Sequence, residues 1–400
     1  MKKEFPIKRF TVPAIAIIVG SLLFSLGYDF FGAHYQVSPF QTAKTQKSAR
    51  NKTARIMANG DILIHDVLYS SAKTQPGHYD FTPYFEYVKP WISKADLAIG
   101  DYEGTISPDY PLAGYPLFNA PLAIADAIQK TGYDVVDLAH NHILDSGLAG
   151  ALYTRQVFQK RGLDSIGLYP KNRQTDPLLI KKVNGIKIAI LGYSYGYNGM
   201  EANLSQEEYD KHLANLDEAK IKQDLKKAER AADITIVMPQ MGTEYARQPT
   251  SEQKALYHKM IDWGADVIFG GHPHVVEPAE VVTKNKAKKL IIYSMGNFLS
   301  NQRLETVGDI WTERGLLMDL VVEKKAGKTS IKSAKAHPTM VLAKSKGVYG
   351  EEGYELYNYR TLILEDFIKG GRLRKQLDAG TQAKVDQAYT EMQQHVGLKW

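Results

Sequence analysis

Four hundred residues, 44% hydrophobic and 24% charged, are enough to bury the core of one large α/β domain with extensions, and they exclude wholesale disorder and fibrous architectures. The absence of cysteine removes disulfides, Cys-ligated zinc, iron–sulfur clusters and thiol nucleophiles. Half of the net charge of +6 comes from Lys2, Lys3, Lys8 and Arg9 against Glu4, so the rest of the chain is too weakly basic to suggest a nucleic-acid partner.

The first expected element is a membrane anchor within residues 1–30. No charge occurs from Phe10 through Tyr28, and crossing a hydrocarbon core takes ~17–25 helical residues. Basic residues precede the run and no small-x-small cleavage site follows it. This predicts an uncleaved single-pass helix in the cell membrane, with the N-terminus cytoplasmic and the main domain extracellular. Residues 31–54 are polar and aperiodic and read as an extracellular linker.

From residue 55 short apolar runs alternate with amphipathic stretches. Strands are expected within 54–64, 95–103, 134–142, 186–194, 233–242, 266–276, 290–298 and 316–323. Helices are expected over 83–94, 121–131, 147–162, 215–232 and 251–263. The alternation predicts an α/β fold with helices covering the sheet faces. Segments 289–298, 315–324 and 329–341 follow one another closely and read as hairpin-linked strands of a second, mixed or antiparallel sheet. The main domain is therefore 55–341. Residues 342–400 read as a C-terminal extension with a closing helix near 380–395.

Polar residues concentrate at the carboxyl ends of these strands, where ligands bind in open α/β sheets. Asp61 closes the first, Asp101 and Glu103 the second, Asn141 and His142 the third, Gln240 a later one, and His272 and His274 the next. Singly, most have ordinary explanations: Asp61 suits a turn or helix cap, and Asp101 and Glu103 suit a solvated strand end. His-Pro-His after Gly-Gly is the strongest single signal, because imidazoles two apart on an extended segment point the same way. Together these carboxylates, amides and imidazoles suit two divalent ions of Mn, Fe or Zn rather than calcium. A bridging carboxylate between such ions is the usual clamp for phosphate-ester hydrolysis.

The ordered set resembles the calcineurin-like metallophosphoesterases. Its spelling is closest to the bacterial capsule or poly-γ-glutamate synthesis family (CapA/PgsA type). The matching stretches are GDILIH at 60–65, YDFTPYF at 79–85, GYPLFNAP at 114–121, AHNHILDSG at 139–147, GTEY at 242–245, GGHPHVVEP at 270–278 and YSMGNFLS at 293–300. The resemblance covers residues 55–305. It implies a four-layer α/β/β/α metallophosphoesterase-like sandwich, and a membrane-anchored extracellular protein that works with an anionic capsular polymer and membrane synthase subunits. Carried over, Asp61 would bind a first metal and Asn141 a second. Asp101 or Glu103 would bridge them, both remaining open, and His272 and His274 would complete the shells. His142 would donate a proton to the leaving oxygen or stabilise the transferred group. His65 falls two positions after the phosphoesterase Asp-x-His spacing.

Two positions depart from the family: Asp101 stands where it commonly has Asn, and, of more consequence, Gln240 stands where it usually has His. An amide oxygen binds a transition ion more weakly than imidazole does, so one metal site would be weakened or no longer serve catalysis. Two functions stay open, a metal-dependent phosphoesterase-like hydrolase and a non-catalytic subunit that holds the polyanion or stabilises a synthase complex. No GxxxxGK[ST] loop is present, so activation of glutamate would fall to a partner.

Overall fold

The computed structural model describes residues 51–400. The expected anchor at residues 10–28 and nearly all of the linker lie outside the described residues. Among the described residues no helix is long and apolar enough to cross a membrane. The strands in chain order are β1 (Lys52–Leu63), β2 (Lys73–Gln75), β3 (His78–Tyr79), β4 (Leu97–Glu103), β5 (Val135–Asp137), β6 (Asp164–Ile166), β7 (Leu179–Val183) and β8 (Ile186–Ser194). They continue with β9 (Ile234–Gln240), β10 (Val267–Phe269), β11 (Ala279–Lys284), β12 (Ala287–Ile292), β13 (Asn297–Leu299), β14 (Arg314–Lys325), β15 (Lys328–Tyr349) and β16 (Glu355–Ile363).

Two mixed sheets form. One runs β16-β15-β14-β1-β4-β5-β6 with β13 also on β1, and the other runs β11-β12-β10-β9-β8-β7. The period-2 side-chain alternation of a strand explains how they stack. Ile56, Ala58, Leu97, Ile99 and Val135 of the first sheet share one apolar core with Ile188, Ile190, Ile236, Met238, Val267 and Phe269 of the second. The intervening residues face outward onto helices. Met57, Ala98 and Val136 meet the helices Ala123–Thr131 and Gly147–Gln159, and Ala189, Val237 and Ile268 meet the helices Glu218–Ala231 and Ser251–Trp263. The last helix buries Gln253, Leu256, Tyr257, Met260 and Ile261, the i, i+3, i+4 spacing of one helical face. Its start is set by a capping box between Thr250 and Gln253. The order is thus helices, sheet, sheet, helices. Each fully buried aliphatic side chain contributes roughly 1.5–3 kcal/mol.

Two expectations need correcting. The segments 315–324 and 329–341 do form a hairpin, but it extends the first sheet instead of building another. β14 pairs antiparallel with the open edge of β1, Met57 opposite Asp319, and this registers Leu316, Met318, Leu320 and Val322 with the inter-sheet core. Of the stretch 289–298, the first part lies in β12 of the second sheet and the last part forms β13. β1 also begins inside the stretch read as linker.

Beyond residue 341, β15 continues to Tyr349 and β16 pairs back onto it. The closing helix, Ala379–Val396, buries Val385, Ala388, Met392 and Val396 in the inter-sheet core. The C-terminal stretch therefore shares the core of the two sheets.

A charged network ties this stretch to β1. Arg55 grips Asp319 with two hydrogen bonds of 2.9 and 2.6 Å. His337 bonds Glu365 at 2.9 Å with its other nitrogen 3.6 Å from Asp319. Burial opposes charging His337, but the two carboxylates outweigh it and hold its pKa up at about 9. A raised histidine pKa stabilises the fold fully below the unfolded value of about 6.5, and this contribution fades as pH rises through 9. His337→Gln should therefore cost about 1–3 kcal/mol in urea unfolding at pH 6, a deficit that shrinks toward zero by pH 10. A deficit unchanged across that range would contradict the assignment.

Candidate metal centre

The inter-sheet face that carries the apolar core turns polar at the carboxyl ends of the strands. On β4, Leu97 and Ile99 point into the core, so Asp101 and Glu103 follow on the same face. On β9, Ile236 and Met238 are followed in phase by Gln240. β1 would present the wrong parity, since Ile56 and Ala58 face inward. A register shift between Asn59 and Asp61 changes the phase, so that Ile62 joins the outer core and Asp61 turns inward. Glycine is required there, because a β-carbon on Gly60 would overlap the carbonyl oxygen of Gly296, whose bond from Asp61 N–H (3.0 Å) fixes the turn. Gly271 plays the same part after β10. A β-carbon there would lie 3.0 Å from Asp101 Oδ2 and 3.2 Å from Asp61 Oδ1.

These devices bring three of the seven expected ligand residues into one buried cluster. Asp61, Glu103 and His274 each offer a ligand atom within 4.8 Å of the others. His274 Nδ1 lies 2.9 Å from Asp61 Oδ2, 3.1 Å from Asn297 Oδ1 and 4.0 Å from Glu103 Oε2. Asp61 Oδ1, Asp101 Oδ1, both oxygens of Glu103, Asn141 Oδ1 and His272 Nδ1 are buried without any hydrogen-bond partner. Buried acceptors normally have partners, and a carboxylate without one costs several kcal/mol. Orphaned oxygen and imidazole atoms beside the Asp61–Glu103–His274 group have the chemistry of a divalent-ion site.

The metal-free electrostatics carry the same strain. Burial, then Asp61, Asp137 and Glu103, raises the Asp101 carboxyl well above the usual range. Burial pushes Glu103 up to about 7 despite the pull of His274. Burial disfavours charge on His274, but Glu103 and Asp61 hold its pKa at about 9, while buried His272 falls to about 3. Without a cation, burial favours the protonated form of Asp101 and Glu103.

The remaining residues stand around this group. His142 Nδ1 is 2.8 Å from Asp145 Oδ2, which also accepts the Phe118 N–H at 2.6 Å. That bond places a proton on Nδ1. Asn141 donates its backbone N–H to Gln240 Oε1 and its Nδ2 to Asn198 Oδ1, both at 3.2 Å. The Gln240 oxygen is thereby turned to the main chain, and its Nε2, a donor, is left buried and unpartnered. His272 and His274 lie with ring centroids 6.2 Å apart, but not on an extended segment. Both have left-handed backbones, φ 94° and 58°, and a turn rather than strand alternation brings them together. Non-glycine residues held there cost on the order of 1–3 kcal/mol each, and such strain clusters at functional sites.

His65 lines an adjoining cleft of about 290 Å³ with Tyr115, Phe118, His142, Glu244 and Tyr245, and its pKa falls to about 4 by burial and proximity to His274. A larger groove of about 470 Å³ lies between β6 and β7 and contains none of these residues. Three participants escaped the sequence reading. Asp137 sits on β5 opposite Asp101. Asn198 and Tyr195 follow β8, whose carboxyl end obeys the same strand-end rule and was passed over. The His272 ring centroid lies 4.5 Å from that of Tyr195.

Residues 55–302 match the model of the family described as bacterial capsule synthesis protein PGA_cap. The chain belongs to this family. Among curated members it is 29% identical over 228 residues to capsule biosynthesis protein CapA of Bacillus anthracis, covering 54% of each chain. It is 30% identical over 222 residues to PGA biosynthesis protein CapA of Bacillus subtilis, covering 54% of this chain and 57% of that one. The match thus spans about half the length of these curated relatives. Among solved structures, the calcineurin-like phosphoesterase YfkN of Bacillus subtilis aligns over 72% of this chain and 90% of its own at 17% identity, with a TM-score of 0.43. That likeness is too remote to bear on chemistry.

Asp101→Asn supplies a neutral isostere of a carboxyl that burial already drives toward protonation. The variant should unfold at the same temperature as the chelator-treated wild type, or higher, yet lose the part of the stabilisation by saturating Mn²⁺ or Zn²⁺ that comes from an ion on Asp101, keeping the part from one on Asp61, Glu103 and His274. For the wild type this amounts to about 2.7 kcal/mol at 100 times Kd. Thermal unfolding with and without metal checks both signs, and a metal-free variant destabilised by several kcal/mol would contradict the reading.

Proposed function

We propose that this protein is a membrane-anchored, extracellular component of capsule synthesis whose buried cluster is a divalent-metal hydrolase centre of the phosphoesterase type. The observation that carries the proposal is the convergence of orphaned ligand atoms beside the oriented His142–Asp145 pair. Asp61, Glu103 and His274 would hold one ion, and Asp101, Asn141 and His272 the second. Bound ions supply Lewis-acid polarisation of a phosphoryl or carbonyl oxygen.

The chain's own groups do the rest. Asp145 accepts the Nδ1 proton of His142 and so fixes the ring; in the imidazolium form Nε2 would give its own proton to a leaving oxygen in the cleft, and the ring would return to a neutral imidazole that keeps its Nδ1 proton. The Phe118 ring packs edge-on against both His65 and His142, at 5.1 and 4.7 Å, and keeps water from their flanks. The anchored, extracellular placement rests on the uncharged run at 10–28 and its basic flank. The anionic polymer, of poly-γ-glutamate type, and the synthase partners rest on family membership.

One observation favours a second reading. Gln240 turns its oxygen to the Asn141 N–H and offers the site a donor instead of a lone pair, as suits a subunit that holds a polyanion without cutting it.

His142→Ala separates the two. For a hydrolase, metal content and folding should persist while turnover of a phosphodiester probe falls on the order of 10²–10⁴-fold, and capsule output should fall with it. Normal capsule at matched protein level would refute the hydrolase and leave the subunit.

A further inference from the structure

The pole of the sandwich opposite the candidate site is basic. Strands of both sheets that aim their carboxyl ends at the site begin at this pole, and three hairpin turns crowd there. Residues 184–185 join β7 to β8, 285–286 join β11 to β12, and 326–327 join β14 to β15. β1 starts there as well, and Asn184 Nδ2 donates to the Thr53 carbonyl at 3.0 Å, so the turns of both sheets share one face. Across the ladders Lys52 stands opposite Lys324, Lys325 opposite Lys328, and Lys182 opposite Lys187.

Like charges directly opposed on neighbouring strands destabilise a sheet. Three such pairs at one end are a cost that packing does not explain, since Lys52, Lys182, Lys187, Lys325 and Lys328 are all exposed. Carboxylates neutralise only part of this face. Asp233 pairs with Lys324 at 2.6 Å and accepts the Lys187 N–H, Asp266 pairs with Lys289, Asp164 with Lys181 at 2.7 Å and Asp262 with Lys284 at 3.4 Å, and among the described residues none of these reaches the ammonium groups of the five exposed lysines. The cleft at the other pole has no Lys or Arg in its lining and carries Glu244.

We propose that this lysine face docks on an anionic lipid surface, the headgroup layer of the bilayer that carries the anchor. Covalent order favours lipid over other polyanions. The uncharged run ends at residue 28 and the chain enters the domain at Lys52, on this face. At ~3.3–3.6 Å per residue the chain between them spans at most roughly 80 Å, so a headgroup layer is within reach of the lysines. Their attraction reaches only about a Debye length, ~10 Å at 0.1 M salt, so docking means contact. Docked in this way, the domain turns its candidate site away from the bilayer, toward the side where a polymer is exported. The choice of this bilayer rests on the anchored reading; the basic face itself does not.

Because the chain lacks cysteine, single reporters can be introduced: Thr283→Cys and Ser330→Cys near the pole, and Leu117→Cys near the cleft. Each labelled full chain is mixed with vesicles of phosphatidylcholine alone or with one third phosphatidylglycerol, carrying a headgroup quencher. The two pole labels should be quenched on the anionic vesicles and released by 0.5 M salt, while the cleft label stays bright on both. Lys182→Gln, Lys325→Gln and Lys328→Gln combined should lower docking on the order of 100-fold, about five-fold per lysine. Quenching that ignores lipid charge or these substitutions, or that is equal at all three labels, would overturn the proposal. Release by soluble polyglutamate beyond a salt control of equal ionic strength would overturn it in favour of a polymer. Flotation with neutral vesicles reads the anchor separately: a chain that stays behind there, yet docks on anionic ones, refutes the anchor and upholds the lysine face.

Discussion

Several carboxylates buried where two sheets meet set the terms for the rest of this structure. Asp61, Asp101, Glu103 and Asp137 sit at adjacent strand ends, all nearly inaccessible to solvent. Ionised and unpartnered, such groups cost several kcal/mol each. The long apolar interface beneath them offsets that cost, and a cation above would remove it. The irregularities around the cluster follow from this placement: the shift at Asn59–Asp61 that turns an aspartate inward, Gly60 against the Gly296 carbonyl, Gly271 against the Asp61 and Asp101 carboxylates, and the left-handed histidines after β10.

The same constraint explains why the C-terminal stretch belongs with the sheets. A sandwich open on one flank would expose Leu316, Met318 and Leu320. β15, β16 and the closing helix cover them, and the Arg55–Asp319–His337–Glu365 network joins that cover to the first strand. Stability and site geometry are thus coupled through β1, which carries Arg55 at one end and Asp61 at the other.

Much of this was legible in the sequence because strand parity and strand ends are local signals. The alternation in IKIAILGYS matches β8 in full, and Asp61, Glu103 and His274, each placed after an apolar run, meet in one buried group. What was not legible depends on non-local pairing. Nothing in residues 315–341 tells which sheet edge the hairpin will join, since β1 and β14 pair across more than two hundred residues. His272 and His274 come close through a turn and not along the extended segment expected, because positive φ leaves little trace at His-Pro-His. Asn198 was missed because a single amide in a Tyr- and Gly-rich loop carries no spacing pattern. The family resemblance over 55–305 agrees with the matched range of 55–302.

Two features pull the functional reading in different directions. The orphaned ligands call for cations, whereas Gln240 withdraws one lone-pair donor from them. Anomalous scattering from crystals of the protein soaked in Mn²⁺ addresses both at once. A peak bounded by Asp61, Glu103 and His274 is expected, with any second peak on the Asn141–His272 side weaker because Gln240 stands there. No peak at the cluster, with its carboxyl groups bonded only to one another or to water, would contradict the metal centre.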